Sequence, residues 1–154
     1  MIRLLIIDPV RLTRSLLAAA LGREPDLHVT GCAAGIREAL AQLYGSDIVL
    51  LNALPPVPDL QDMTRTLRAA NPAVKVLMVG LPDSEEVIVQ GIEAGIAGYV
   101  LRDASIEQML ANIRAVYHGR AIVSPAIAAM MMMHAWRLAE QSRHVHRLPQ
   151  PEVG

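Results

Sequence analysis

Short apolar runs alternate with helical stretches five times along this chain, and that rhythm constrains the fold more than any other feature. Ile2–Ile7, Leu27–Cys32, Ile48–Leu51, Val74–Val79 and Tyr99–Leu101 are too short for helices and too apolar for loops. Most of them read as strands buried on both faces. The second is weaker, because His28 and Thr30 alternate with its apolar residues. A helical pattern follows every strand, so successive strands are joined by right-handed crossovers and run parallel. The expected architecture is α/β: a doubly wound, five-stranded parallel sheet of order 2-1-3-4-5 with an extra C-terminal helix.

The helices carry their own punctuation. Arg11–Leu21 places Leu12, Leu16, Leu17 and Leu21 toward one side, with Gly22 as a stop. Gly35–Tyr44 repeats Ile36, Ala39, Leu40 and Leu43 at helical spacing. Pro55, Pro56 and Pro58 force a loop after the third strand, and a helix over Leu60–Ala70 follows, ended by Asn71-Pro72. Ser84 caps a helix with Glu85 and Glu86 in its first turn and Gly95 at its end. Ser105 caps a fifth, with Ile106, Met109, Leu110, Ile113 and Tyr117 facing inward. Gly91, inside the fourth helix, either admits a partner closely or is incidental.

Composition narrows the function classes. The chain has 154 residues, 53% of them hydrophobic, enough for one domain with a buried core and an appendage. Net charge is −1, which gives no whole-chain electrostatic case for nucleic acid or a membrane surface. The single cysteine, Cys32, excludes an internal disulfide and a Cys-cluster zinc site, and it reads as a small buried residue in a reduced, cytoplasmic protein. Asp8 and Pro9 interrupt the apolar N-terminus before a signal-peptide core forms, and Ala126–Met133 is far too short to span a bilayer.

In a sheet of this order the tips of strands one, three, four and five converge, bringing together Asp8 with Pro9, Asn52, Gly80 and Arg102. Asn52 ends its strand where the surrounding pattern leads one to expect an aspartate. A carboxylate there would serve as nucleophile or metal ligand, whereas a carboxamide is neutral and a poor nucleophile. The stretch Ala94-Gly95-Ile96-Ala97-Gly98-Tyr99-Val100-Leu101-Arg102-Asp103-Ala104-Ser105 resembles the receiver domain of two-component response regulators. Ile113-Arg114-Ala115-Val116-Tyr117-His118-Gly119, followed by Ser124-Pro125, is similar to the NarL/LuxR branch. The resemblance runs over about residues 1–125 and implies the flavodoxin-like shape reached above from alternation alone.

Set against that family, the active-site positions depart almost throughout. The resemblance implies two adjacent acids after strand one, where this chain has Asp8 and Pro9. It implies that Asn52 occupies the phosphoacceptor position, Gly80 that of a Thr or Ser, and Arg102 that of a lysine. Pro56 matches the family's loop proline, Leu60 stands where a glycine is usual, and Tyr99 matches an aromatic that reports phosphorylation. Magnesium needs hard oxygen ligands, generally two or more carboxylates where no substrate phosphate is bound. Asp8 alone beside a neutral Asn52 is a poor set. The expectation is a degenerate pseudo-receiver with no metal, no cofactor and no enzymatic activity. Arg102 either fills the vacated pocket by pairing with Asp8 or forms with it a solvated pair of little weight. Tyr99 then packs at a strand end rather than relaying a signal. Phosphorylation of Asp8 or Asp59, the latter projecting from a loop, is the minor alternative.

After the receiver-like residues 1–120, residues 121–142 read as a linker or dimerisation helix running to about Gln141, and 143–154 as a flexible linker. Met130, Met131 and Met133 with Trp136 offer an adaptable partner surface, since one apolar turn cannot hide every face against its own domain. His134, His144 and His146 lack thiolate or carboxylate company and read as a basic tail, not a metal site. The expected role is a homodimerising or protein-binding module of a transcription regulator. An output helix-turn-helix domain or another regulatory protein is its partner, the chain being a fragment or a single-domain regulator. DNA binding by this segment and membrane association are not expected. The competing reading is a small-molecule sensor of flavodoxin-like shape, against which stands the lack of any Gly-rich phosphate loop.

Overall fold

The computed structural model describes residues 1–52 and 57–146, with the side chains at 57, 58, 145 and 146 left aside. Pro56 and the tail from 147 onward lie outside the described residues. The element order is β1 (Ile2–Ile7), α1 (Arg11–Leu21), β2 (Leu27–Ala33), α2 (Ile36–Gln42), β3 (Ile48–Asn52), α3 (Val57–Ala70), β4 (Lys75–Leu81), α4 (Glu85–Ala94), β5 (Gly98–Leu101), α5 (Ile106–Tyr117) and α6 (Pro125–His146). All strand pairs are parallel and the order is β2-β1-β3-β4-β5, as alternation predicts.

Both faces of the sheet are covered, which is why its central strands are apolar except near their ends, at Arg3, Asn52 and Lys75. Leu4, Ile6, Ile48, Leu50, Leu77, Val79 and Val100 point to one face and meet Leu21 of α1 and Leu110, Ile113 and Val116 of α5. Their chain neighbours Leu5, Ile7, Val49, Leu51, Val76, Met78 and Tyr99 are buried on the other, beneath α2, α3 and α4. Each fully buried Leu or Ile adds roughly 1.5–3 kcal/mol of transfer free energy. Gly91 belongs to this packing: a Cβ there would lie 3.0 Å from Ile96 Cδ1 and 3.4 Å from Met78 Sδ. Its missing side chain lets α4 lie close on β4, an internal purpose.

Helix ends follow the capping signals. Ser105 and Gln108 form a reciprocal capping box, with the Gln108 N–H donating to Ser105 Oγ (3.1 Å) and the Ser105 N–H to Gln108 Oε1 (2.8 Å). Ser84 Oγ accepts from the Val87 N–H, and Gly95 closes α4 at φ +104. Lys75, the only lysine, donates from the start of β4 to the last carbonyls of α5, at Val116 (2.9 Å) and Tyr117 (3.3 Å).

Several expectations need correction. Leu12 and Leu16 are exposed, while Leu17 and Leu21 turn inward. The two pairs lie five residues, or about 140°, apart around the helix, and a short helix on a flat sheet buries only one stripe. Ile106, Tyr117 and Leu40, also expected inside, are each exposed by about two-fifths. Pro58 falls in the first turn of α3, where proline's missing N–H costs no helical bond, so Asp59 sits on a helix and not in a loop. Finally, α6 continues past Gln141 to His146, so the expected linker from residue 143 begins as helix. No glycine or proline interrupts that stretch, and Arg143 reaches back to Glu140 at 2.6 Å.

Contacts divide the chain at Ile122 into the sheet unit and a second unit beginning at Val123. Within the second, Ser124 Oγ caps α6 by accepting from the Ile127 N–H at 3.2 Å. Met131, Met132, Met133, Trp136 and Leu138 are all exposed along that helix and Met130 is half-buried.

Candidate functional site

The candidate site begins where β1 stops. Asp8 precedes Pro9, which biases it to extended backbone and removes the next N–H donor. The first available donor is therefore Val10, whose N–H gives a 2.8 Å bond to Asp8 Oδ1 in a tight side-chain turn. Asp8 is wholly buried. Its other oxygen, Oδ2, accepts a 2.8 Å hydrogen bond from Asn52 Nδ2 at the tip of β3. A buried carboxylate must be answered by donors, and here an amide and a backbone N–H answer it on both oxygens.

Asn52 is half-buried and pairs in register with Val79 of β4. The next residue, Gly80, has φ +83, and the β4–β5 register slips between Val79 and Leu81. A Cβ at Gly80 would lie 4.0 Å from Asn52 Oδ1, so this bulge forms the wall of the pocket opposite Asp8. Glycine suits this left-handed backbone, which a side chain would strain.

Asp8, Asn52 and Gly80 thus converge, with Pro9 beside them. Arg102 does not join them as an ion-pair partner: its side chain is exposed, and among the described residues no salt bridge connects it to Asp8. Both expected forms of the Asp8–Arg102 pair are therefore set aside. Asp8 is too deep to be solvated, and the shorter Asn52 side chain occupies its free oxygen. The basic residue that does approach is Arg14 of α1, whose Nη1 donates 2.7 Å to the Asp8 backbone carbonyl. Arg14 escaped the sequence reading, although a basic residue at i−3 and i−7 from Leu17 and Leu21 marked an inward position that hydrophobic spacing leaves unexplained. Cys32, expected to be buried, is half-buried; burial raises the pKa of its thiol and the nearby Arg14 charge opposes this.

The other singled-out residues lie elsewhere. Tyr99 is buried in β5 opposite Met78, on the sheet face covered by α3 and α4. Asp59 is exposed on α3, and His134 and His144 are exposed on α6. No group of three or more His, Cys, Asp or Glu with metal-binding geometry occurs among the described residues. Of the α6 methionines, Met132 is the most exposed at 75%, although the expected surface named only its neighbours. No described helix is long and apolar enough to cross a membrane.

No protein-family model matches the chain. Among curated relatives, the transcriptional regulatory protein LnrK of Bacillus subtilis is 28% identical over 153 residues, covering 98% of this chain and 69% of its own length. The response regulator GacA of Pseudomonas viridiflava is 30% identical over 139 residues, 89% of this chain and 65% of that protein. Among solved structures, a LuxR-family two-component response regulator from Aurantimonas superposes with a TM-score of 0.72 at 26% identity, over 86% of this chain and 96% of that one. The isolated receiver domain of RcsB from Salmonella enterica shares the fold with a TM-score of 0.71 at 11% identity, over 83% and 96% of the two chains. With the sheet order, the converging strand tips and these relatives in agreement, the chain's relatives are response regulators and its fold is that of the receiver domains of LuxR-family members.

Proposed function

We propose that this receiver domain has lost phosphoryl chemistry and acts in transcription control as a phosphorylation-independent protein-interaction module. The observation that carries this reading is the 2.8 Å bond from Asn52 Nδ2 to the buried Asp8 Oδ2. Where phosphoryl capture needs a carboxylate nucleophile, the chain has an amide donor turned toward Asp8. The donor set is equally unsuited to magnesium. Both Asp8 oxygens are engaged, Pro9 supplies no ligand atom from its side chain, and Asn52 directs its nitrogen inward. No catalytic step is assigned to the site. Its residues tie the tips of β1 and β3 together and favour a single state of the pocket.

A module without a chemical switch works through its surfaces. The exposed methionines and Trp136 of α6 form an adaptable apolar helix face, and self-association through it is the proposed role of that helix. DNA recognition then belongs to an output domain of the helix-turn-helix type, and not to this segment with its net charge of −1.

Incubation with acetyl phosphate and magnesium, followed by intact mass measurement, tests the reading. The expected result is no phosphoryl adduct on this chain under conditions that label an aspartate-bearing receiver. Stoichiometric labelling would overturn it.

A further inference from the structure

The sheet's other end, remote from Asp8 and Asn52, holds a cavity of about 700 Å³ among the starts of β1, β3 and β4 and the ends of α2, α3 and α5. That is the size of sites that hold small organic ligands. Two cations line it. Arg3 donates Nε and Nη2 to Asp47 at 3.3 and 3.1 Å, which orders the guanidinium and leaves Nη1 with no partner among the described residues. Lys75 Nζ uses two hydrogens on the α5 carbonyls and keeps a third. Asp47 is the only acid in the lining, so the wall carries one positive charge in excess.

Two tyrosines flank these cations. Tyr44 is 99% exposed and Tyr117 38% exposed, and Leu40 adds a partly exposed apolar wall. Both tyrosines line the cavity together with Arg3. The carbonyl end of α5 would repel an anion here, but Lys75 is bonded to those very carbonyls and offsets them. Ordered cations with spare donors, set beside uncovered aromatic rings, suit a ligand that is both charged and flat.

We propose that this cavity binds a small aromatic anion, its carboxylate or phosphate on Arg3 and Lys75 and its ring against Tyr44. The site is independent of the phosphoacceptor pocket and of how that pocket is read. It gives the domain a ligand input at the amino ends of the strands, the end opposite its family's chemistry.

The test is titration of the full 154-residue chain with benzoate and with phenyl phosphate, followed by two-dimensional amide NMR. Benzyl alcohol and acetate serve as neutral and non-aromatic controls. Saturable shifts are expected at Gly45, Ser46 and Ala73 for at least one anion, with the controls weaker by about tenfold or more. Benzoate acting alone identifies a carboxylate ligand, and phenyl phosphate alone a phosphate. Tyr44→Ala removes an uncovered ring without disturbing the core and should weaken binding by about fivefold. Absence of saturable shifts for both anions would overturn the proposal. So would acetate matching benzoate, or affinity unchanged in Tyr44→Ala.

Discussion

Replacing Asn52 by aspartate probes the candidate site most directly, because it installs the acid that the receiver resemblance implies at this position and removes the donor to Asp8. Asn52 Nδ2 lies 2.8 Å from Asp8 Oδ2, so Asn52→Asp sets two carboxylate oxygens at that spacing beside a fully buried partner. Two unit charges 4 Å apart repel by about 4 kcal/mol at an effective dielectric constant near 20. A charge-assisted hydrogen bond of roughly 1.5–3 kcal/mol is lost as well. Position 52 is half-buried, so water and side-chain rotation relieve part of this, and a net loss of about 2–4 kcal/mol at pH 7 is expected. The pair relaxes by sharing one proton, which raises one carboxyl pKa in the folded state above its unfolded value of about 4. A raised folded pKa contributes stability that is present below about pH 4 and fades as pH rises through the shifted value. Wild type and variant should therefore unfold at similar urea concentrations near pH 4 and separate toward neutrality. Millimolar magnesium should stabilise the variant at pH 7, by neutralising the acid pair, and leave the wild type unmoved. Equal stability of the two proteins across that range without divalent cation would refute the reasoning, because Asp8 and residue 52 would then not face one another.

Three further outcomes follow from the same geometry. Gly80→Ala forces a side chain into a backbone at φ +83 and should cost about 1–2 kcal/mol in urea unfolding, where an exposed Gly→Ala change at ordinary φ is neutral or stabilising. Arg114 holds Asp26 through Nε and Nη2 at 2.9 and 3.0 Å and Glu24 at 3.2 Å, and the hydrogen bond from Arg114 pulls the Asp26 pKa below its ordinary value. A depressed folded pKa stabilises above the unfolded value and is lost as pH falls. Arg114→Met should therefore lower the melting temperature at pH 7 and lose its effect below about pH 4, as followed by circular dichroism. Substituting Met132 and Trp136 together by serine should reduce self-association in sedimentation velocity while leaving the melting temperature of the sheet unit unchanged, since both side chains are exposed.

How much of this was legible in the sequence depends on whether period or partner decides the outcome. Strands β1, β3 and β4 were legible because burial on both faces leaves polar residues only near their ends, so a continuous run such as Ile48-Val49-Leu50-Leu51 fits a doubly covered strand and little else. The orientation of α1 was not. Leu12 with Leu16 and Leu17 with Leu21 are equally apolar i,i+4 pairs, and only the sheet decides which pair it covers. Gly91 was equally silent, for its function is an absence that only Met78 and Ile96 reveal.

At the site, the positions were legible and their pairing was not. Strand-tip convergence names Asp8, Asn52, Gly80 and Arg102, but charge alone would marry the acid to the arginine. Distance and desolvation decide otherwise. A fully buried carboxylate accepts the donors already fixed at its depth, the Val10 N–H and the Asn52 amide, and a long exposed guanidinium gains little by leaving water to compete. The Asn52 amide thereby adds a side-chain contact between the tips of β1 and β3 to their backbone pairing. Gly80 repeats the point one strand further on, where a left-handed backbone resists any side chain. On the proposed reading Asn52 and Gly80 favour one state of the pocket, so replacing Asn52 alone by aspartate should strain it before it brings any phosphoryl chemistry.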